Sequence, residues 1–519
     1  MGEREGSEIE SALGSIGTSA VLIFGATLLS QGIGFLTRVT MARYLPVDGY
    51  GNVVIGISVL SLFGIVSLVG LPAAVARFLP RKETVTERRA ILTSAMQITG
   101  VLSVIVASGI FVGAEVVATR FFGNAELIGV IRIFAVILPF YTLFKLSLGG
   151  FRGYEQTYPR IITQNVLRPG LQLAGIVLFV RLGYGTTGIA FAYAMAFGAV
   201  AVVGVAFLYR EGELPLRGLT RLGSVGQYRE LLAFSVPLAA TSAIDVIAKQ
   251  SDLIILGLIK SSTEVGLYEV AFRTAIFVPL LFTPAVGYLF QPIISRFDAN
   301  SKQQRMDTLY TVATRWILVA TFPVFALFFL FPSQTLVFFF DKGYRGGQVP
   351  LQILLIGFII TLLPGLTSMF LTAVGETKIL MYISAGTTIL NIGINVALIP
   401  TYGMVGAAIA TATARTFNNT VQSYVIYRKY GVHPFGREYV VPTALMGAIF
   451  VLFAVGPIPF GQLSFPAGVL IATGIGLVYL LLVCLTRSIF AVELTLLDAL
   501  FERIGVPITI SKYLDPFVR

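Results

Sequence analysis

The sequence predicts an all-α integral membrane protein of about fourteen transmembrane helices, built as two related six-helix lobes plus a C-terminal helix pair. Three observations predict it. The chain is 56% hydrophobic and 12% charged, half of the ~25% usual in soluble domains, and its mean hydropathy is +0.85. Apolar runs close to the ~20 residues that cross a bilayer recur from residue 17 to residue 486. One motif occurs twice, as Tyr184-Gly185-Thr186-Thr187-Gly188-Ile189-Ala190 and as Tyr402-Gly403-Met404-Val405-Gly406-Ala407-Ala408. Each copy leads through an apolar segment to a Tyr-Arg pair, Tyr209-Arg210 and Tyr427-Arg428, and motif and pair both repeat at an offset of 218 residues. A match that keeps its register over a whole helix points to duplication.

The first 14 residues are polar and mildly acidic (Glu3, Glu5, Glu8, Glu10) and lack a cleavable signal pattern, so the first span is expected to be retained. The predicted spans lie at 17–43, 51–77, 91–114, 129–149, 161–181, 186–208, 231–258, 266–291, 309–331, 348–373, 377–399, 404–426, 440–457 and 464–486. The duplication extends through them. Leu138-Pro139 stands 11 residues before Gly150 in span four, and Leu363-Pro364 stands as far before Gly375 in span ten. Thirty residues separate Gly51 from Arg81, and Gly266 from Arg296. Spans one to six (residues 1–215) therefore form one lobe and spans seven to twelve (216–430) its copy. Six is even, so the copies share a topology and a pseudo-two-fold along the membrane normal, which in a transporter places the substrate between lobes near the midplane. Spans thirteen and fourteen (431–488) are an addition. In the tail, 489–519, Leu494, Leu496, Leu497, Leu500 and Phe501 alternate with Glu493, Asp498, Glu502 and Arg503, the pattern of an amphipathic helix on the cytoplasmic face or against the bundle.

Charge orients the chain. With a cytoplasmic N-terminus the inner gaps hold Arg81, Lys82, Arg88, Arg89, Lys145, Arg152, Arg160, Arg210, Arg217, Arg221, Arg229, Arg296, Lys302, Arg305, Lys378, Arg428, Lys429 and Arg437. The outer gaps hold Arg43, Arg120, Arg181, Lys260, Lys342 and Arg345. The bias places both termini inside a cell membrane. The net charge of +11 is then explained by topology and anionic lipids rather than by nucleic acid. Cys484 lies inside the last apolar run and His433 in a polar loop. One of each builds neither a disulfide nor a metal site, so no metal or other cofactor is expected.

Two six-span lobes and a final pair resemble the polysaccharide-exporter and lipid-linked oligosaccharide flippases of the multidrug/oligosaccharidyl-lipid/polysaccharide (MOP) transporter superfamily. The likeness covers the whole chain and rests on four stretches in order. Arg43-Tyr44-Leu45-Pro46 to Gly49-Tyr50-Gly51 is similar to the family's junction of its first two spans, and Gly70-Leu71-Pro72 to Arg77-Phe78-Leu79 to the end of the second. Arg152-Gly153 follows span four, and Tyr-Gly-x-x-Gly-x-Ala precedes spans six and twelve. The resemblance implies a flippase that moves a polyprenyl- or dolichyl-phosphate-linked sugar or oligosaccharide by alternating access, working with glycosyltransferases of a surface-polysaccharide or glycoprotein pathway. It also implies that spans one, seven and eight line a central cavity.

A charge at bilayer depth costs at least ~2.5–3.5 kcal/mol, so each one needs a use. Asp245, Lys249 and Asp252 of span seven are spaced i, i+4, i+7 and share one helical face. Asp245 and Lys249 can pair, leaving Asp252 to titrate or to meet an arginine, and Asp245 and Asp252 are the candidates for coupling to a H+ or Na+ gradient. Arg38 and Arg273, on spans the resemblance places at the cavity, and Arg415 of span twelve join Lys249 as candidate substrate contacts, because guanidinium forks match phosphate oxygens. Arg132, Arg168 and Arg315 lie towards span ends and are expected to snorkel. Gln31, Gln250, Asn391 and Asn395 read first as glue between helices.

A multidrug antiporter of the same fold is the alternative, but it needs an acid-rich cavity for cationic drugs, and here intramembrane cations outnumber acids. A membrane glycosyltransferase or polymerase would carry an acidic metal-binding pair or a large outer loop. No Asp-x-Asp occurs, and the outer gaps are short. The chain reads as a transporter rather than an enzyme, and the lack of a Walker A pattern argues against ATP drive.

Overall fold

The computed structural model describes residues 25–210, 224–300, 302–456, 460–489 and 493, with the side chains at 241, 245, 285, 288 and 289 outside the description. The chain adopts the all-α membrane fold expected of it. The helices are α1 (25–44), α2 (Val47–Leu68), α3 (Leu71–Phe78), α4 (Val85–Val116), α5 (Leu127–Gly153), α6 (Thr157–Ile161), α7 (Arg168–Arg181) and α8 (Gly185–Arg210). They continue with α9 (Val225–Ile259), α10 (Ser262–Ala299), α11 (Gln303–Leu330), α12 (Pro332–Phe339), α13 (Gln348–Leu362), α14 (Thr367–Ala373), α15 (Thr377–Tyr430), α16 (Arg437–Val455) and α17 (Phe465–Leu485). Among the described residues 10 helices are long and apolar enough to cross a membrane, or 11 if the two halves of α9, bent by 46°, form one span.

Local chemistry sets the breaks. The predicted second span divides into α2 and α3 because Val69 and Gly70 adopt φ of 44° and 73°, a left-handed stop, and Pro72 restarts the helix in its first turn. Capping boxes open α4 (Thr84 with Glu87) and α9 (Ser224 with Gln227). The repeated Tyr-Gly motif has a backbone reason. Gly185 and Gly403, equivalent in the two copies, have φ of 53° and 54°, positive values that glycine adopts without a Cβ penalty. Gly403 interrupts α15, which covers the predicted eleventh and twelfth spans.

The helices form two compact units. The first contains the described residues up to Glu269 together with Ile399–Met404. Helix α5 is its centre, packed by α2, α3, α4 and α8, with α9 lying on α2, α3 and α4. Phe134 and Tyr193 meet there with ring centroids 5.7 Å apart. Helices α2 and α10 cross where neither has a side chain. A Cβ on Gly51 would fall 1.8 Å from the Ser262 carbonyl oxygen, and one on Gly266 would fall 2.5 Å from the Val47 carbonyl oxygen. The Asn124 amide binds across this crossing, donating to Asn52 Oδ1 and to Ser262 Oγ, each at 3.0 Å.

The second unit comprises Val270–Leu398 and the described residues from Val405 onward. Helix α11 is its axis, packed by α13, α16 and α17. Its core gathers Phe290, Tyr310, Ile317, Phe370 and Tyr439.

Candidate functional site

The first two turns of α10 organise the polar interior of the first unit. Gly266 brings them against α2. Tyr268 then donates its hydroxyl to Asp252 Oδ2 on α9 at 2.8 Å, both residues being buried. Glu269, buried, lies 3.5 Å from Nε of Arg38 on α1. Glu264 accepts the backbone N–H of Met404 at 2.8 Å, so its carboxylate caps the helix that restarts after Gly403. One short segment thus fixes α1, α2, α9 and the Gly403 turn.

Arg38 is the end of a row of cations. Its Nη1 donates to the Gly34 carbonyl at 3.2 Å, and 29% of its side chain remains exposed. Its charge reaches half-buried Arg168 on α7, beside the phenols of Tyr141 and Tyr193. Arg168 acts in turn on half-buried Lys145 of α5, whose Nζ lies 5.5 Å from the Tyr141 ring centroid. Lys145 also feels Arg152 and Lys249. Charge thus links Arg38 to Arg168, and Lys145 to Arg168, Arg152 and Lys249. Like charges repel in a medium of low dielectric, so such a cluster is poised for a polyanion.

The six residues singled out from the sequence divide between the units. Arg38, Lys249 and Asp252 belong to the first. Asp252 is buried and accepts the Tyr268 hydroxyl. Asp245 lies in α9, and its side chain falls outside the described residues. Arg273 and Arg415 belong to the second unit, where Phe272 joins them: its ring centroid is 5.7 Å from the Arg273 guanidinium and 5.8 Å from that of Arg415. Arg415 sits closer still to Phe358, at 4.6 Å, in the range of cation–π attraction. Gln250 accepts from Ser58 Oγ at 2.9 Å and joins α9 to α2 as helix glue.

Two residues depart from expectation. Arg315 is fully buried and paired, and its partner is Glu493 of the tail. Its Nη1 also donates to the Ser488 carbonyl, while Trp316 Nε1 donates to Glu493 Oε2 at 2.6 Å. The tail therefore reaches the bundle at Glu493. Glu269 was not foreseen at all. It stands three residues past the predicted start of span eight, where an acid reads as interfacial; the signal available was its place one turn after Gly266 and one turn before Arg273.

Comparison with known proteins follows the same line. Residues 16–298 match the family model described as "Polysaccharide biosynthesis protein", and residues 237–397 match the MatE model. The probable flippase AglR of Haloferax volcanii is 22% identical over 86% of this chain and 91% of its own length. The probable low-salt glycan biosynthesis flippase Agl15 of the same organism is 24% identical, over 34% of this chain and 37% of its own length. The lipid II flippase MurJ in an inward closed conformation shares the fold, with a TM-score of 0.70 at 15% identity over 89% of this chain and 98% of that one.

Proposed function

The chain belongs to the polysaccharide biosynthesis protein family, and on that premise we propose that it is a flippase for a sugar or oligosaccharide carried on a polyprenyl or dolichyl phosphate. The observation that carries the reading is the cationic neighbourhood of Arg38, Lys145, Arg168 and Lys249. The head group of such a lipid is large, polar and anionic, so its unaided passage through hydrocarbon is prohibitive. Arginine and lysine donors replace water around the phosphate, while the prenyl tail stays in the bilayer. The relatives named as flippases support the same reading.

In this mechanism the head group enters from the cytoplasmic side, binds the cations, and leaves outward by alternating access. Lys249 and Arg38 contact the phosphate in the first unit. Within the second unit, Arg273 and Arg415, beside Phe272 and Phe358, are further candidate phosphate donors. Asp245 and Asp252 couple transport to a H+ or Na+ gradient, and both termini are cytoplasmic. Glycosyltransferases of the same pathway supply the loaded lipid. The chain's part is transport, with no bond made or broken.

The MatE match favours a second reading, export of small organic cations. A display assay separates the two. Cells depending on this chain for surface glycan should lose it at least about tenfold with Lys145→Ala, Lys249→Ala or Arg273→Ala, since each deletes a charge-assisted contact of ~1.5–3 kcal/mol. Normal surface glycan with all three variants stably expressed would refute the cationic-site mechanism.

A further inference from the structure

We propose that Glu269 is an internal counter-anion, a carboxylate that holds Arg38 while the site is empty and yields it to the incoming phosphate. The inference rests on the flippase reading and adds a residue that sets its affinity. It starts from an asymmetry of charge. The cluster's cations come from α1, α5, α7 and α9, and Glu269 on α10 is the carboxylate paired with Arg38, at 3.5 Å. That pair is lopsided. Glu269 is 5% exposed and Arg38 is 29% exposed, so the acid is fixed in the wall while the guanidinium keeps an open side.

The geometry is that of a loose pair. At 3.5 Å through Nε, the contact lacks the short bidentate form that makes an Arg–carboxylate pair strong. The Arg38 fork has five donors, and its Nη1 goes to the Gly34 carbonyl. A phosphate oxygen can therefore capture the guanidinium, at the cost of one weak contact. Glu269 is itself held in place, because the Gly266 crossing and the Tyr268–Asp252 hydrogen bond pin its turn of α10. The exchange has two consequences. Without a ligand, the carboxylate lowers the repulsion among the cations. With a ligand, it competes for Arg38, so affinity is limited and release is aided.

The test is binding of farnesyl diphosphate, a short prenyl diphosphate, to the full chain in lipid nanodiscs by calorimetry, with farnesol as the uncharged control. Wild type should prefer the diphosphate. Glu269→Gln, which keeps the shape and removes the charge, should bind it about tenfold more tightly, equivalent to ~1.4 kcal/mol. Glu269→Asp should stay near wild type. In an Arg38→Ala background the Glu269→Gln gain should vanish, because the two residues act as one unit. If Glu269→Gln binds no more tightly than wild type, or gains as much without Arg38, the counter-anion is refuted while the flippase reading stands. If wild type binds farnesol as well as farnesyl diphosphate, the flippase reading falls and takes the counter-anion with it.

Discussion

Removing Glu493 should leave the largest buried charge in the second unit without its partner. Arg315 is 0% exposed and Glu493 is 4% exposed. The guanidinium gives Nη2 to both carboxylate oxygens and Nη1 to the Ser488 carbonyl, and Trp316 Nε1 also donates to the carboxylate at 2.6 Å. Glu493→Ala keeps the Ser488 contact but strips the charge partner, and breaking a buried pair on one side costs ~3–5 kcal/mol. That is a large share of the ~5–15 kcal/mol by which most domains are stable. Glu493→Gln keeps an acceptor near both donors and should cost less, about 1.5–3 kcal/mol. Arg315→Met with Glu493→Leu removes both charges and should come close to wild type, because apolar replacement of a buried pair is often neutral.

The assay is built into the chain. Trp316 is its one tryptophan, so denaturant unfolding in detergent, followed by indole fluorescence, reads this contact directly. The order of midpoints should be wild type and double variant, then Glu493→Gln, then Glu493→Ala. An alanine variant that unfolds with wild type, or a double variant as unstable as the alanine variant, would refute the view of Arg315 as a charge that needs its partner.

Gly403→Ala should destabilise more than Gly185→Ala in thermal melts. Both have a positive φ that an L side chain rarely adopts, but a Cβ at 403 also lands 2.1 Å from Glu264 Oε2, whereas Gly185 faces open space. Gly51→Ala should cost a further ~1–3 kcal/mol through overpacking, because the atom it meets is backbone and cannot step aside. Tyr268→Phe should cost ~1–3 kcal/mol by leaving the Asp252 carboxylate short of a donor; a neutral melt would discount that hydrogen bond. The Lys429 ammonium, 2.8 Å from Glu376, holds that carboxyl below the usual carboxylate range. The stability it adds is present at neutral pH and lost as the pH falls through the lowered value. On this partly exposed pair the loss should stay under about 1 kcal/mol; equal acid sensitivity in Glu376→Gln would show that other groups dominate.

Much of this architecture was legible because a bilayer imposes one-dimensional rules. An apolar run of sufficient length must be helix, since lipid offers the backbone no other partner. Where the predicted spans lie among the described residues they fall largely on helices, of which 10 or 11 are long and apolar enough to cross a membrane against the fourteen expected. Pairing was not legible, because it is settled in three dimensions. Glu493 looks like one charge among several on an amphipathic tail, and Arg315 like a cation able to snorkel. Only the fold brings together residues 178 positions apart. Glu269 escaped for the same reason: its meaning lies in Arg38, on another helix. Asp252 was identified as a buried charge, but its partner Tyr268 could not be read from the spacing of span seven.

The glycines carry the opposite lesson. Gly51 and Gly266 drew notice as equivalent positions in a duplication, as evidence of ancestry. In the structure they touch, with backbone nitrogens 3.2–3.3 Å from where each other's Cβ would be. Val47 and Ser262, whose carbonyls fill the remaining space, are themselves 215 positions apart, the same offset as the glycines. Each glycine lacks a side chain at the place where the other helix's backbone passes. A contact in which residue i meets j as j meets i is self-complementary, so one sequence solution serves both sides. A duplicated helix start needs glycine only once in its ancestor to acquire a crossing that fits in both copies. Chain register, read first as history, is here also a packing constraint: a Cβ at either position forces α2 and α10 apart, and the turn of α10 that carries Tyr268 and Glu269 moves with them.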